Sequence, residues 1–178
     1  MPPDRGPRQP PSLDEKRFDE RVLYVNRVAR VVKGGRRFRF QALVIVGDHA
    51  GQVGIGVSKG ADVSAAVTKA TEVAKKHLVK LPMHRGTLTH DVEAKVAGSH
   101  ILILPAAPGT GLIAGGVART ILEVAGFENA LSKSLGSNNR VNMAYAAVKA
   151  LQQMVPANQW VTAAARKSRQ AKQKADVT

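Results

Sequence analysis

Val22-Leu23-Tyr24-Val25-Asn26-Arg27-Val28-Ala29-Arg30-Val31-Val32-Lys33-Gly34-Gly35-Arg36-Arg37-Phe38-Arg39-Phe40-Gln41-Ala42-Leu43-Val44-Ile45-Val46 is the stretch that decides the fold. Val22 to Lys33 is rich in β-branched residues, the pattern breaks at Gly34-Gly35, and a strand pattern resumes from Arg36 to Val46. Two extended runs joined by a glycine pair predict an antiparallel hairpin, because glycine accepts the backbone angles a tight turn demands. Side chains alternate between the faces of a strand. Phe38, Phe40, Ala42, Val44 and Val46 therefore share one face, and both phenylalanines are expected to pack in a core. Arg37, Arg39 and Gln41 share the other face until Leu43 and Ile45 close it. One face is greasy and the other basic.

Outward from the hairpin, Gly47-Asp48-His49-Ala50-Gly51 reads as a turn, followed by a short strand from Gln52 to Ser58. In it Val53, Ile55 and Val57 alternate with Gly54 and Gly56, which leave one sheet face bare for close backbone approach. From Asp62 the period lengthens: Val63, Ala66, Val67, Ala70, Val73, Ala74, His77, Leu78 and Leu81 recur at three and four. That spacing predicts a helix to Leu81 with Lys69, Glu72, Lys76 and Lys80 on its wet side, ended by Pro82. His77 in that stripe is expected to be a packed or capping histidine. The expected unit, residues 18–81, is a three-stranded antiparallel sheet with a helix on its apolar face.

Residues 82–155 form a second expected unit. Thr87 to Val96 and His100 to Leu104 read as paired strands around Ala97-Gly98-Ser99, then a loop from Pro105 to Gly111. A helix from Ile113 to Val124 closes at Gly126, a strand spans Asn129 to Leu135, and Gly136-Ser137-Asn138-Asn139 turns into a helix reaching Val155. Its core stripe is expected to be Val141, Ala144, Tyr145, Val148 and Leu151. Prolines at 2, 3, 7, 10 and 11 predict a flexible extension over residues 1–17, and 156–178 reads as a basic tail.

Charge narrows the function. The 178 residues hold 27 Lys and Arg against 13 Asp and Glu, a formal net charge of +14. Residues 22–81 hold eleven basic and three acidic side chains, or +8, whereas 82–155 hold six against four, only +2. So basic a small protein is drawn to a polyanion. Cysteine is absent, which excludes disulfides, thiolate nucleophiles and Cys-ligated metals. Met1 to Pro7 lacks the apolar stretch of a signal peptide, and runs such as Ile101 to Leu104 are too short to cross a bilayer, so a cytoplasmic protein without membrane contact is expected.

The densest cluster of chemistry is Arg27, Arg30, Lys33, Arg36, Arg37 and Arg39 on the two strands and their turn. Phosphates and 2′-hydroxyls of double-stranded or folded RNA suit a rigid basic β element, since the deep major groove of A-form RNA hides its bases. Gly109-Thr110-Gly111-Leu112-Ile113-Ala114 has the glycine spacing of a dinucleotide turn but lacks the acidic residue after the next strand, and Gly115-Gly116-Val117 supplies no phosphate-binding lysine. It reads instead as a tight turn able to meet an anion or RNA phosphate, with Arg119 assisting from the helix. His84, His90 and Asp91 lack metal-site spacing, Ser99 and His100 point to opposite strand faces, and Asp91 with Glu93 reads as a solvated edge. No catalytic, metal or cofactor site is expected. The competing readings are an enzyme holding a phosphorylated cofactor at the Gly109 loop and a free RNA chaperone.

Several ordered stretches resemble the bacterial small-subunit ribosomal protein five family: Val25-Asn26-Arg27-Val28, Val32-Lys33-Gly34-Gly35-Arg36-Arg37-Phe38, Val44-Ile45-Val46-Gly47-Asp48, Val53-Gly54-Ile55-Gly56, Lys59, and the helix with Lys69, Ala70 and Lys75. The likeness resumes in Gly86-Thr87-Leu88, Gly109 to Gly116, Leu122-Glu123-Val124-Ala125-Gly126 and Gly136-Ser137-Asn138-Asn139. It implies an α+β protein, with a double-stranded-RNA-binding-like domain followed by an α/β sandwich like domain two of ribosomal protein five. It further implies a structural constituent of the small subunit that binds 16S rRNA, with Arg27, Arg30, Lys33, Gly34, Gly35, Arg36, Arg37, Arg39, Lys59 and Arg119 as rRNA-binding candidates. Contacts with ribosomal proteins four and eight, an influence on decoding accuracy, and passive unwinding of mRNA beside ribosomal protein three at its entrance channel are implied as well. Many family members carry an aromatic near position 57, where this chain has Val57-Ser58.

Overall fold

The computed structural model describes residues 18–156 and Gln159. The expected extension 1–17 and, apart from Pro156 and Gln159, the expected tail 156–178 lie outside the described residues. The first sheet holds β1 (Asp19–Val32), β2 (Gly35–Gly47), β3 (Gln52–Gly60) and β4 (Val79–Lys80), antiparallel in the order β1-β2-β3-β4, with α1 (Val63–Lys76) on one face. Val32 pairs with Gly35 across a Lys33-Gly34 turn, where Gly34 takes a φ of +87°. A side chain other than glycine is strained at that angle.

α1 seats closely because both partners are small. Ala66, Ala70 and Ala74 of the helix and Ala42, Val44 and Val46 of β2 form a buried cluster. A Cβ on Gly54 would stand 2.3 Å from the Ala74 carbonyl oxygen, and one on Gly56 would stand 1.9 Å from that of Ala70. The bare strand face expected from these glycines is the seat of the helix. The helix, however, stops at Lys76 and not at Leu81. His77 caps it, with its N–H bonded to Ala74 O at 3.1 Å and its ring Nδ1 2.9 Å from Val73 O. Val79 and Lys80 instead pair with Val53 and Gln52, and Leu81 donates to Gly51 O at 2.7 Å. Ladder bonds on the open β3 edge outweigh one more helical turn, so the sheet has four strands where three were expected.

The second sheet runs β5-β6-β8-β7, with β5 (Val92–Val96), β6 (Ser99–Pro105), β7 (Leu112–Ile113) and β8 (Ala130–Ser134). Helices α2 (Gly116–Ala125) and α3 (Arg140–Gln152) complete an α/β sandwich. The helix expected from Ile113 begins three residues later, because Leu112 and Ile113 pair in parallel with Ala130 and Leu131 at the sheet edge. Gly126, at φ +94°, ends α2 as expected. Asn139 caps α3 through Val141 N–H and Asn142 N–H. The buried side of α3 is Met143, Ala144, Ala146, Ala147, Ala150 and Leu151, and Tyr145 is 43% exposed, so the expected stripe is rotated.

The two units share one core. Leu43, Ile45, Val53 and Ile55, on the face of the first sheet opposite α1, are buried in a cluster with Ile121, Leu122 and Val124 of α2 and Ala147 and Leu151 of α3. Backbone bonds from His49 N–H to Val124 O (3.1 Å) and Gly51 N–H to Ala125 O (2.9 Å) fasten the β2–β3 turn to the end of α2. Ala42 to Val46 is thus covered on both sides, each residue no more than 2% exposed.

Candidate nucleic-acid interface

Pairing between β2 and β3 ends at Phe40↔Gly60, whereas β1 and β2 continue through Val28↔Arg39, Ala29↔Phe38, Arg30↔Arg37 and Val31↔Arg36 to Val32↔Gly35. Five further rows at about 3.4 Å each carry a two-stranded finger roughly 17 Å beyond the third strand. A free two-stranded hairpin is marginal, but this one grows out of a packed sheet that holds its base. Arg27, Arg30, Lys33, Arg36, Arg37 and Arg39 are all exposed along it.

Directly opposed residues share a face, so the register sorts the cations. Arg30, Arg37 and Arg39 lie on one face, and Lys59, opposite Gln41 on β3, extends the same row. Arg27 and Arg36 lie on the face of Phe38 and Phe40, with Lys33 in the turn. The division into one greasy and one basic face is therefore incomplete at the tip, where both faces are cationic. Among the described residues, none of these seven side chains forms an ion pair within 4.0 Å; the carboxylates Asp19, Glu20 and Glu123 pair with Arg21 and Lys75 at the hairpin's base. Arg30 and Arg37 face each other across the strands, an arrangement that destabilises the free protein. Such a field is relieved by an external anion.

Phe38 departs from its expected place in the core. It is 49% exposed, and the Arg27 guanidinium lies 3.8 Å from its ring centroid. The α1 helix and its cluster end before this row, so the ring finds a cation in place of an apolar neighbour. Phe40, two rows nearer the body, does pack against the α1 cluster.

Arg119 stands apart, exposed on α2 and on a different element from the hairpin. The Gly109–Gly111 loop enters β7 rather than opening a helix, with Gly111 N–H bonded to the Asn129 side chain at 3.0 Å. That connectivity departs from a dinucleotide-binding turn, in which the glycines lead straight into a helix. Ser99 Oγ donates to Ser137 O at 3.0 Å while His100 Nε2 lies 3.4 Å from Glu93, so the neighbours serve separate contacts. Among the described residues no three His, Asp or Glu side chains gather to hold a metal, and no helix is long and apolar enough to cross a membrane.

At the hairpin's base lies a cleft the sequence did not signal. Arg21 bonds Asp19 at 3.1 Å and Glu123 at 2.9 Å. Partial desolvation lowers its pKa, but the hydrogen bond to Glu123 and the charge of Asp19 outweigh it, and the guanidinium titrates above its ordinary value. Arg140 stacks 4.1 Å from the Tyr24 ring centroid. No local pattern joins residues 24 and 140; only the docking of the two units brings them together.

Comparison with known proteins agrees with this architecture. The family profile described as ribosomal protein S5, N-terminal domain, matches residues 18–82, and that of ribosomal protein S5, C-terminal domain, matches residues 94–166. Two proteins named small ribosomal subunit protein uS5, both from strains of Treponema pallidum and one of them from the Nichols strain, are each 50% identical over 145 residues. Each alignment covers 82% of this chain and 84% of the relative. With both halves matched in order and half the aligned residues identical, this chain belongs to the ribosomal protein S5 family.

Proposed function

We propose that the chain is a structural constituent of the small ribosomal subunit, in the cytoplasm, and that its β1–β2 finger binds 16S rRNA through the sugar-phosphate surface. The family is one of ribosomal proteins and not of enzymes. The observation that carries the reading is the projecting hairpin with six cations, joined by Lys59 on β3, none with a carboxylate partner among the described residues. In this reading Arg30, Arg37, Arg39 and Lys59 engage one phosphate track, Arg27 and Arg36 another, and Lys33, Gly34 and Gly35 the approach at the tip. Gly34 and Gly35 suit that place, because a Cβ at either would meet no atom within 4 Å and their absence of side chain lets backbone near the RNA. Arg119 supplies a separate rRNA contact from α2.

We divide the chain at residues 18–81 and 82–155, the first carrying the rRNA footprint and the second, with its +2 charge, mainly protein contacts. Ribosomal proteins four and eight are the partners proposed there. Through protein four the chain influences decoding accuracy, and beside protein three it assists passive separation of mRNA strands at the entrance channel. Sedimentation of the endogenous protein through high salt tests the assignment. Comigration with small subunits is expected, and quantitative release into the free fraction at salt that leaves other core proteins bound would overturn it.

A further inference from the structure

A groove of about 660 Å³ lies between α1, β4 and α3, on the seam of the two units. Its apolar walls include Val73, Val79, Val96, Tyr145 and Val148, and its polar members are His77, Lys149 and Gln152. On α3 the residues Tyr145, Val148, Lys149 and Gln152 recur at three and four, so they form a second stripe beside the buried one that holds Met143, Ala147 and Leu151. A helix apolar on two faces is suited to cover on both. The second face has none among the described residues: Tyr145 is 43% exposed, and Val148, Val73 and Val79 are only half-buried.

Three observations point to the occupant. First, α3 leads out of the groove at Gln152, and the chain turns directly after it: Met154 is buried, and Gln159 N–H donates to Pro156 O at 2.9 Å. Second, residues 157–165 carry no charge and hold Trp160, the sole tryptophan, followed by Val161 and three alanines. Five basic side chains follow, and they begin only at Arg166. Third, the profile of the ribosomal protein S5 C-terminal domain runs on to residue 166, well past the end of α3, and stops where the basic run starts. The apolar segment thus belongs with the domain.

Reach permits the contact. The stripe from Tyr145 to Gln152 is seven helical steps, about 10 Å, whereas eight extended residues from Gln152 to Trp160 span up to about 27 Å. Charge disfavours a second copy in the groove, since each chain carries +14 and the two repel.

We infer that residues 157–165 of this chain dock in the groove between α1 and α3, with the Trp160 ring against Tyr145, Val148 and Val73. The segment closes the seam of the two units from outside. It also roots the basic run at Lys149, near the Val53↔Val79 row of the first sheet. The finger leaves that sheet at Gly60, seven strand steps or roughly 24 Å away. The protein thereby presents two separate basic elements, and the docking is independent of what the finger binds.

Trp160 emission in the full chain, free of partners, tests the contact. It is expected to be blue-shifted from that of the urea-unfolded chain, with acrylamide quenching reduced several-fold. Tyr145→Glu puts a charge into the groove at an exposed position. Both readings should return to their unfolded values while the melting temperature falls by only a few degrees. Should that variant unfold, methyl NMR of Trp160→Ala decides: resonances of Val73, Val79 and Val148 should move, and those of the exposed Ile113 and Leu135 should hold. Solvent-like emission in the parent overturns the docking, as does a blue shift that survives Tyr145→Glu in the folded protein. Valine resonances unmoved by Trp160→Ala overturn it too. A blue shift that grows with protein concentration assigns the groove to a second copy, and shielding found only in assembled subunits assigns it to a neighbouring protein. Either result overturns docking within the chain.

Discussion

Replacing Arg30 and Arg37 together by glutamine separates what the finger does for the fold from what it does for RNA. The two residues are directly opposed on one sheet face, exposed, and without an acidic partner among the described residues. Two unit charges about 6 Å apart in water repel by roughly 0.7 kcal/mol, so neutralising them leaves the free protein as stable as before or slightly more so. Glutamine keeps most of each side chain's length, and neither stem lies in a buried cluster. Binding should move the other way. Each phosphate contact contributes about 0.9 to the slope of log affinity against log salt, so losing two flattens it by roughly 1.8. Between 50 and 200 mM salt, the parent should then lose roughly twelvefold more affinity than the variant. Filter binding to a small-subunit rRNA fragment, paired with urea denaturation, measures both quantities. Parallel salt slopes, or weaker binding that merely tracks a loss of folding stability, would refute the reasoning.

Other consequences concern the scaffold. Gly56→Ala forces a Cβ to 1.9 Å from the Ala70 carbonyl oxygen and should cost about 2 kcal/mol or more in urea denaturation, with the salt slope of the folded fraction unchanged; a loss under ~0.5 kcal/mol would mean that α1 is loosely seated. Phe38→Ala should cost only about 0.5–1 kcal/mol, the scale of an exposed cation–π contact, whereas a cost of 3 kcal/mol or more, on the order of a core phenylalanine, would contradict the exposed position. Asn139→Ala should cost about 1 kcal/mol through the lost cap of α3, and Asn139→Asp should restore it; equal loss in both variants would exclude capping as the cause.

The hairpin was legible because its punctuation and alternation agree: Gly34-Gly35 can serve a turn, and Phe38 to Val46 repeats with period two. Its cation set was legible for the same reason, although the face assigned to each cation required the register. The end of α1 was not legible, since Leu78 and Leu81 continue the helical spacing and only the open edge of β3 draws Val79 and Lys80 into a sheet. The buried face of α3 was hidden by alanine, which suits core and surface alike, so Ala146, Ala147 and Ala150 gave no contrast with Tyr145 and Val148. Leu43 and Ile45 were seen to close the basic face, but what covers them, α2 and α3, belongs to the other unit. The cleft was invisible because its members, from Arg21 to Arg140, meet only once the units dock.

The most direct measurement is a density map of the assembled small subunit that resolves residues 27–39. The account predicts guanidinium groups of Arg30, Arg37 and Arg39 within hydrogen-bond distance of rRNA phosphate oxygens, on the face that Lys59 extends. A finger surrounded by solvent, or seated wholly on protein, would contradict it.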